Sequence, residues 1–209
     1  MFSLQTIFGK GDKFYGLLEQ SAEAARESTR ALLDLITRTD RAPVMAAFAG
    51  ARAREKALAA QISEELVNTF VTALDREDIE ALNSALYKIP KTIEKFAERY
   101  GIVAERMSGV DFAQRAQVLE QSAAVVAEMI GLLRNGLDIG PVKKLQDRLQ
   151  ALEAEGDRML LSPYRTLYLE SDDAMRAVLA KDLFELIEKA IDKCRDVGNI
   201  VYSIVLKNS

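Results

Sequence analysis

The fold is decided by residues 183–205, LFELIEKAIDKCRDVGNIVYSIV, in which apolar side chains recur every three or four positions. This spacing places them on one face of an α-helix, whereas a half-buried strand would alternate every two residues. Similar spacing recurs along the chain. Helix-breaking residues are scarce, with only 11 glycines and 4 prolines among 209 residues. The sequence therefore predicts an all-α fold.

Glycines, prolines and capping residues divide the sequence into six long predicted helices. Gly101, Gly136 and the pair Ser162-Pro163 are expected to end the third, fourth and fifth helices. Pro90 is expected to kink the third helix. Ser171 is expected to cap the sixth helix, which is predicted either to be continuous or to break near Ala180. The predicted helices cover about residues 12–39, 44–74, 75–100, 111–135, 138–161 and 171–207.

A short repeat suggests that the chain has a doubled layout. The five residues LEQSA occur at 18–22 and again at 119–123, each time within the first helix of a group of three. Chance identity in a chain rich in alanine and glutamate is the alternative. We interpret the repeat as two three-helix units, residues 1–105 and 106–209, packed together as one compact domain.

The composition excludes several kinds of site. The chain has no histidine and one cysteine, so Ser-His-Asp triads, zinc sites built from His or Cys, and iron–sulfur clusters are excluded. Any bound metal must be held by oxygen ligands. A formal net charge of −4 gives no support for nucleic-acid binding. The single cysteine, Cys194, lies on an apolar helix face and is expected to be a core thiol.

The sequence predicts a cytoplasmic protein without a membrane span. A single cysteine is typical of a reducing compartment. Residues 1–16 have no sustained apolar stretch, so no signal peptide is expected. The best apolar window, residues 123–133, is interrupted by Glu128 and is too short to cross a bilayer.

Acidic side chains form a stripe on the last two predicted helices. Glu188, Asp192 and Asp196 are spaced by four residues, which makes each a surface neighbour of the next on the face opposite the apolar one. Glu153 and Asp157 repeat the spacing on the fifth helix. If these helices are antiparallel neighbours, five carboxylates converge, enough to ligate a divalent or trivalent ion.

Two other interpretations of this acidic stripe remain open. Acids at this spacing are also typical of a solvated helix face. A general acid and base pair is the weakest interpretation, because nothing else in the sequence supplies a second catalytic group. We therefore expect a protein that is not an enzyme, and a metal-dependent phosphohydrolase is the least favoured alternative.

Three stretches resemble the PhoU-like family, in the branch of phosphate transport regulators and accessory proteins of Pit-type transporters. They are residues 69–79, TFVTALDREDI; residues 152–157, LEAEGD; and residues 186–197, LIEKAIDKCRDV, followed by 204–207, IVLK. The resemblance implies six helices in two repeated three-helix bundles. It also implies a multinuclear metal cluster, typically iron, held by Glu153, Asp157, Glu188, Asp192 and Asp196.

The first half departs from the family pattern. Glu55 is followed four residues later by Ala59 instead of an acid, and Ser84, Lys88 and Thr92 stand where the second half has its three acids. At most one metal cluster is therefore expected, in the second half.

The resemblance implies a regulator that contacts a membrane phosphate transporter. The alternative is a metal-free helical scaffold or oligomerisation module. The sequence leaves the metal, the transporter and the oligomeric state open.

Overall fold

The computed structural model describes residues 4–37, 45–169 and 173–208, and in these ranges the chain forms six long α-helices and no strand. Short 3₁₀ turns follow the third and fourth helices, at Ala104–Met107 and Leu133–Asn135. The prediction of an all-α fold with six helices is confirmed. The helices are α1 (Leu4–Thr37), α2 (Met45–Asn68), α3 (Arg76–Val103), α4 (Ala113–Leu132), α5 (Ile139–Leu169) and α6 (Ala174–Asn208).

The helices pack as two triples around one continuous core. Helices α1, α2 and α3 contact one another, as do α4, α5 and α6, and the pairs α1–α4 and α3–α6 join the triples. Helices α3 and α6 are antiparallel, because Lys207 meets Asp78 at one end and Arg99 meets Asp182 at the other. The boundary between residues 105 and 106 stays a prediction.

The two LEQSA segments occupy similar surroundings. In α1, Leu18, Ser21 and Ala22 are buried, and the corresponding leucine, serine and alanine of α4 are buried as well. The small side chains of these residues allow helix backbones to approach closely. That α1 and α4 pack against each other fits the proposed internal repeat.

An aromatic cluster fills the core where α3, the loop before α4, and α6 meet. The Phe112 ring lies 4.5 Å from that of Phe184 and 5.8 Å, edge-on, from that of Phe96. The buried guanidinium of Arg115 lies 4.3 Å above the Phe184 ring. Burial lowers the pKa of this guanidinium, while the ring face compensates part of its charge.

Several predicted helix ends differ from the observed ones. The stop predicted at Gly101 is wrong, because α3 continues to Val103. The left-handed conformation that suits a helix terminus occurs instead at Gly109, with φ of 79°. Helix α1 begins eight residues earlier than predicted, at Leu4.

Helix α5 ends and α6 begins later than the sequence predicts. The break at Ser162-Pro163 is wrong, because α5 runs on to Leu169; one proline removes one backbone donor and leaves the other helical hydrogen bonds in place. The predicted cap Ser171 lies outside the described residues. Asp173 takes that role, accepting the Arg176 backbone N–H at 2.9 Å. Helix α6 is continuous through Ala180.

Helix α4 is the core helix of the bundle. A window within Ala113–Asn135 has a mean hydropathy of 1.2 and, by length and composition alone, could cross a membrane. It is longer than the apolar window recognised from the sequence, residues 123–133. In this structure 56% of that window is buried inside the bundle. Helix α4 also packs on α1, α5 and α6, which explains its apolar surface without a bilayer.

Candidate functional site

The candidate site lies along the antiparallel pair α5–α6, whose close approach depends on two glycines. A Cβ added at Gly156 would lie 3.1 Å from Cδ1 of Ile191. A Cβ at Gly198 would lie 2.4 Å from Cδ2 of Leu149, closer than such atoms approach in real structures. Beside this second contact, the Gln146 amide donates to Oδ1 of Asn199 at 2.6 Å. Because Gly156 and Gly198 have no side chains, the two acid-bearing helices can approach to this distance.

Three carboxylates of the acidic stripe lie close enough to affect one another. Burial raises the pKa of Glu188 to about 7; the charge of Asp192, a side-chain hydrogen bond with Asp192 and the charge of Asp157 add to the effect. Near neutral pH Glu188 is therefore protonated in about half of the molecules, which reduces the repulsion between these like charges. The predicted convergence of α5 and α6 acids is present for these three residues.

Arg195 occupies the space between the two helices beside these acids. Its guanidinium forms an ion pair with Glu153 of α5 and another, at 3.2 Å, with Asp192 on its own helix. Within residues 4–37, 45–169 and 173–208, no three acidic or cysteine side chains are arranged so that they could hold a metal ion. The carboxylate oxygens suit a hard cation chemically, but a guanidinium supplies the positive charge in this arrangement.

Asp196 points away from the other acids. Because residues four apart advance by about 40° around a helix, the stripe turns from α5 toward α3 along α6. Asp196 pairs with Lys193 at 2.7 Å and, with Lys88 of α3, lines a groove of about 410 Å³ between α3 and α6. The structure thus pairs Arg195 with Glu153 and Asp192, places Asp192 and Asp157 beside Glu188, and leaves Asp196 on a separate groove.

The corresponding surface of the first half is basic. Ser84 and Lys88 are exposed there, and Thr92 donates its hydroxyl to the Lys88 carbonyl at 2.8 Å. Close by, the Arg52 guanidinium stacks over the Tyr87 ring at 3.9 Å. Lys88 would repel a cation at this surface, and the expectation of at most one cluster stays a prediction.

Glu55 is a buried acid whose burial was not predicted from the sequence. The sequence showed only that no acid follows it four residues later. It is fully buried in α2, where the Ser21 hydroxyl donates to its Oε1 at 3.2 Å and its Oε2 has no hydrogen-bond partner. Burial raises its pKa to about 7. The available signal was its position seven residues after Phe48 and seven before Ile62, on the core face of the helix.

Cys194 is fully buried, as the sequence predicts. Burial raises the pKa of its thiol well above the usual range, with a smaller contribution from the charge of Asp196. A thiol in this state has little thiolate at neutral pH, and so it is neither a nucleophile nor a metal ligand.

Two curated proteins are similar to the chain in sequence. The "Putative pit accessory protein" of Rhizobium meliloti is 23% identical over a 212-residue alignment that covers 97% of this chain and 96% of that protein. The UPF0111 protein YkaA of Bacillus subtilis is 22% identical over 146 residues, which is 70% of this chain and 71% of that protein. No protein-family model matches the sequence.

Two crystal structures from Shewanella oneidensis are similar to the fold. A PhoU-like protein superposes with a TM-score of 0.82 at 16% identity, covering 92% of this chain and 99% of its own. A second, described as a "putative PhoU-like phosphate regulatory protein", superposes with a TM-score of 0.77 at 17% identity, covering 93% of this chain and 99% of its own. The resemblance found in the sequence is thereby confirmed, and the chain has the PhoU-like fold over nearly its whole length.

Proposed function

We propose that this protein is a non-enzymatic, cytoplasmic regulator of phosphate transport that acts by contacting a Pit-type membrane transporter. The observation that carries the proposal is the end-to-end similarity to the relative described as a Pit accessory protein, which covers 97% of this chain. The fold shared with the solved structure described as a "putative PhoU-like phosphate regulatory protein" supports it. An accessory role also fits the chemistry, since the chain has no histidine and its one cysteine is buried.

Deleting the gene tests this proposal. We expect phosphate uptake, or phosphate-responsive expression, to change in the deletion strain and to return on complementation with the full chain. The tagged protein is expected to co-purify a phosphate transporter from detergent-solubilised membranes. If uptake and expression are both unaltered and no transporter is recovered, the regulatory function is wrong.

We further propose that the acidic stripe binds iron or another hard cation through Glu153, Asp157, Glu188 and Asp192, without Asp196, which lines the groove between α3 and α6. The support is the placement of Asp192 and Asp157 beside Glu188: burial raises the pKa of Glu188 to about 7, and the charges of these two acids add to the effect. In this proposal the cation replaces the guanidinium of Arg195, which pairs with Glu153 and Asp192. Removal of the guanidinium would leave these carboxylates free to rotate toward a shared ion.

Replacing Arg195 by glutamine tests the cation site. We expect Arg195→Gln to bind Fe²⁺, Mn²⁺ or Zn²⁺ about tenfold more tightly than wild type, because a competing charge is gone. Titration calorimetry and the shift in melting temperature measure this. Arg99→Gln is the matched control, since Arg99 pairs with Asp182 away from the stripe; its affinity should be unchanged. Glu188→Gln is expected to weaken binding.

A metal-free scaffold or oligomerisation module remains the second candidate, and the Arg195 contacts favour it. In that case Arg195 is a permanent structural partner of the acids. Neither wild type nor Arg195→Gln would then show any heat of binding or melting shift with these metals. Metal analysis of protein purified without chelators would find none.

A further inference from the structure

The loop between α2 and α3 carries an exposed apolar cluster at one end of the bundle. Phe70 is 99% exposed, and its neighbours Val67 and Val71 are 82% and 54% exposed. We call these three residues the apolar tip. Single exposed apolar residues are ordinary on protein surfaces, but three exposed apolar residues within five positions, one of them a fully exposed phenylalanine, are typical of an interaction site.

The apolar tip is held in place by its own loop. Thr69 and Leu74, on either side of Phe70 and Val71, are buried. Arg76 donates to the carbonyls of Leu66 and Thr69, the latter at 2.7 Å, and so ties the end of α2 to the start of α3. Phe70 is therefore presented outward by a structured turn.

Acidic side chains surround the apolar tip. Residues 64–80 contain six acids and a single base, Arg76. Lys13 and Lys207, from α1 and α6, pair with Glu65 and Asp78 at the edge of this segment. Three exposed acids, which we call the acidic collar, lie on the turns that flank the apolar tip: Glu64, Asp75 and Glu77.

The opposite end of the bundle differs in its charges. The exposed apolar residues at this end are Ile102, Met175 and Val178. Near them, two ion pairs join the end of α3 and the turn after it to the start of α6: Arg99–Asp182 and Arg106–Asp173. Basic and acidic residues are balanced in these pairs. Exposed apolar residues therefore occur at both ends, and at the α2–α3 end they lie within a segment that has six acids and one base.

We propose that the apolar tip and the acidic collar form a docking surface for a basic, amphipathic segment of a partner protein. Apolar side chains of the segment would cover Phe70, and its lysines and arginines would pair with the collar. An anionic bilayer or a second copy of this end would bring like charges together. Resting on the function proposed above, the partner is a cytoplasmic segment of the transporter, since such segments are rich in lysine and arginine.

A synthetic amphipathic peptide of leucine and lysine, labelled for fluorescence anisotropy, tests the surface with the full-length protein. We expect wild type to bind it, and Phe70→Ser to bind it about tenfold more weakly because the buried apolar contact is lost. Ile102→Ser is the matched control, as Ile102 is 83% exposed at the other end; its binding should equal wild type. Asp75→Asn combined with Glu77→Gln is expected to reduce the salt dependence.

Several results would overturn the docking surface. One is equal peptide binding by Phe70→Ser and Ile102→Ser. A second is binding of wild type to phosphatidylglycerol vesicles that Phe70→Ser abolishes and Ile102→Ser does not, because the occupant is then a membrane. A third is a dimer in solution that only Phe70→Ser abolishes, because the occupant is then a second copy of the protein.

Co-purification with the transporter separates this proposal from the general function. If Phe70→Ser recovers as much transporter as wild type, the docking surface is wrong and the regulatory function stands. If wild type recovers no transporter but the peptide contrast holds, the regulatory function is wrong and the surface serves another basic partner.

Discussion

Gly198→Val is expected to lower the free energy of unfolding by about 3 kcal/mol. A Cβ at this position would lie 2.4 Å from Cδ2 of Leu149 and 2.7 Å from Oε1 of Gln146, both buried on α5. Relief requires these side chains to leave their positions or α5 to move away from α6, and the Gln146–Asn199 hydrogen bond is lost in either case. Chemical denaturation monitored by circular dichroism measures the loss.

Gly50→Val is the matched control for this change. Gly50 also lies within a helix, but a Cβ there meets nothing within 4 Å. The control reports the intrinsic cost or gain of placing valine in a helix, which is within about 1 kcal/mol. Equal stabilities of the two variants would show that α5 and α6 are farther apart than in this structure.

Glu55→Gln is expected to stabilise the protein by about 3 kcal/mol at pH 8 and to have little effect at pH 4. The pKa of Glu55 is raised from 4.5 to about 7 in the folded protein. Below pH 4.5 the carboxyl is protonated in both the folded and unfolded states. Between pH 4.5 and about 7 the unfolded state loses its proton first, so wild-type stability falls as pH rises, and the cost is constant above that range.

The difference between wild type and Glu55→Gln isolates this residue from Glu188, which also titrates near neutral pH. Glutamine keeps an oxygen that can accept the Ser21 hydroxyl, so the contact on that side is retained. Glu64→Gln, an exposed change on the same helix, is the control and is expected to alter stability by a few tenths of a kcal/mol at either pH. Parallel pH profiles for wild type and Glu55→Gln would show that Glu55 is charged in the folded state.

The helices were predictable because the spacing of apolar residues is a local signal. The same signal was misjudged at helix ends, where tertiary contacts decide. Helix α2 ends at Asn68 instead of at residue 74. The reason is that Arg76, eight residues further on, binds the carbonyls near that end, and no local pattern contains this contact.

The spacing of the acids along each helix was predictable from the sequence, but their arrangement between helices was not. The four-residue spacing placed Glu188 and Asp192 on one face, and the structure sets them against Asp157. The position of Arg195 depends on its rotamer and on the distance to Glu153 across two helices. The outward turn of Asp196 follows from the helical angle, but its groove with Lys88 exists only once α3 packs on α6.

The antiparallel pairing of α3 with α6 also governs the order in which the chain can fold. Asp78 and Lys207 are 129 residues apart, yet they meet in the finished bundle. On the ribosome, the α6-facing surface of α3 stays uncovered until the last of the described helices has been made. Such distant contacts slow folding and leave apolar surface exposed to aggregation or chaperones. The core of the first three helices is therefore fully covered only after α6 has been synthesised and has packed on α3.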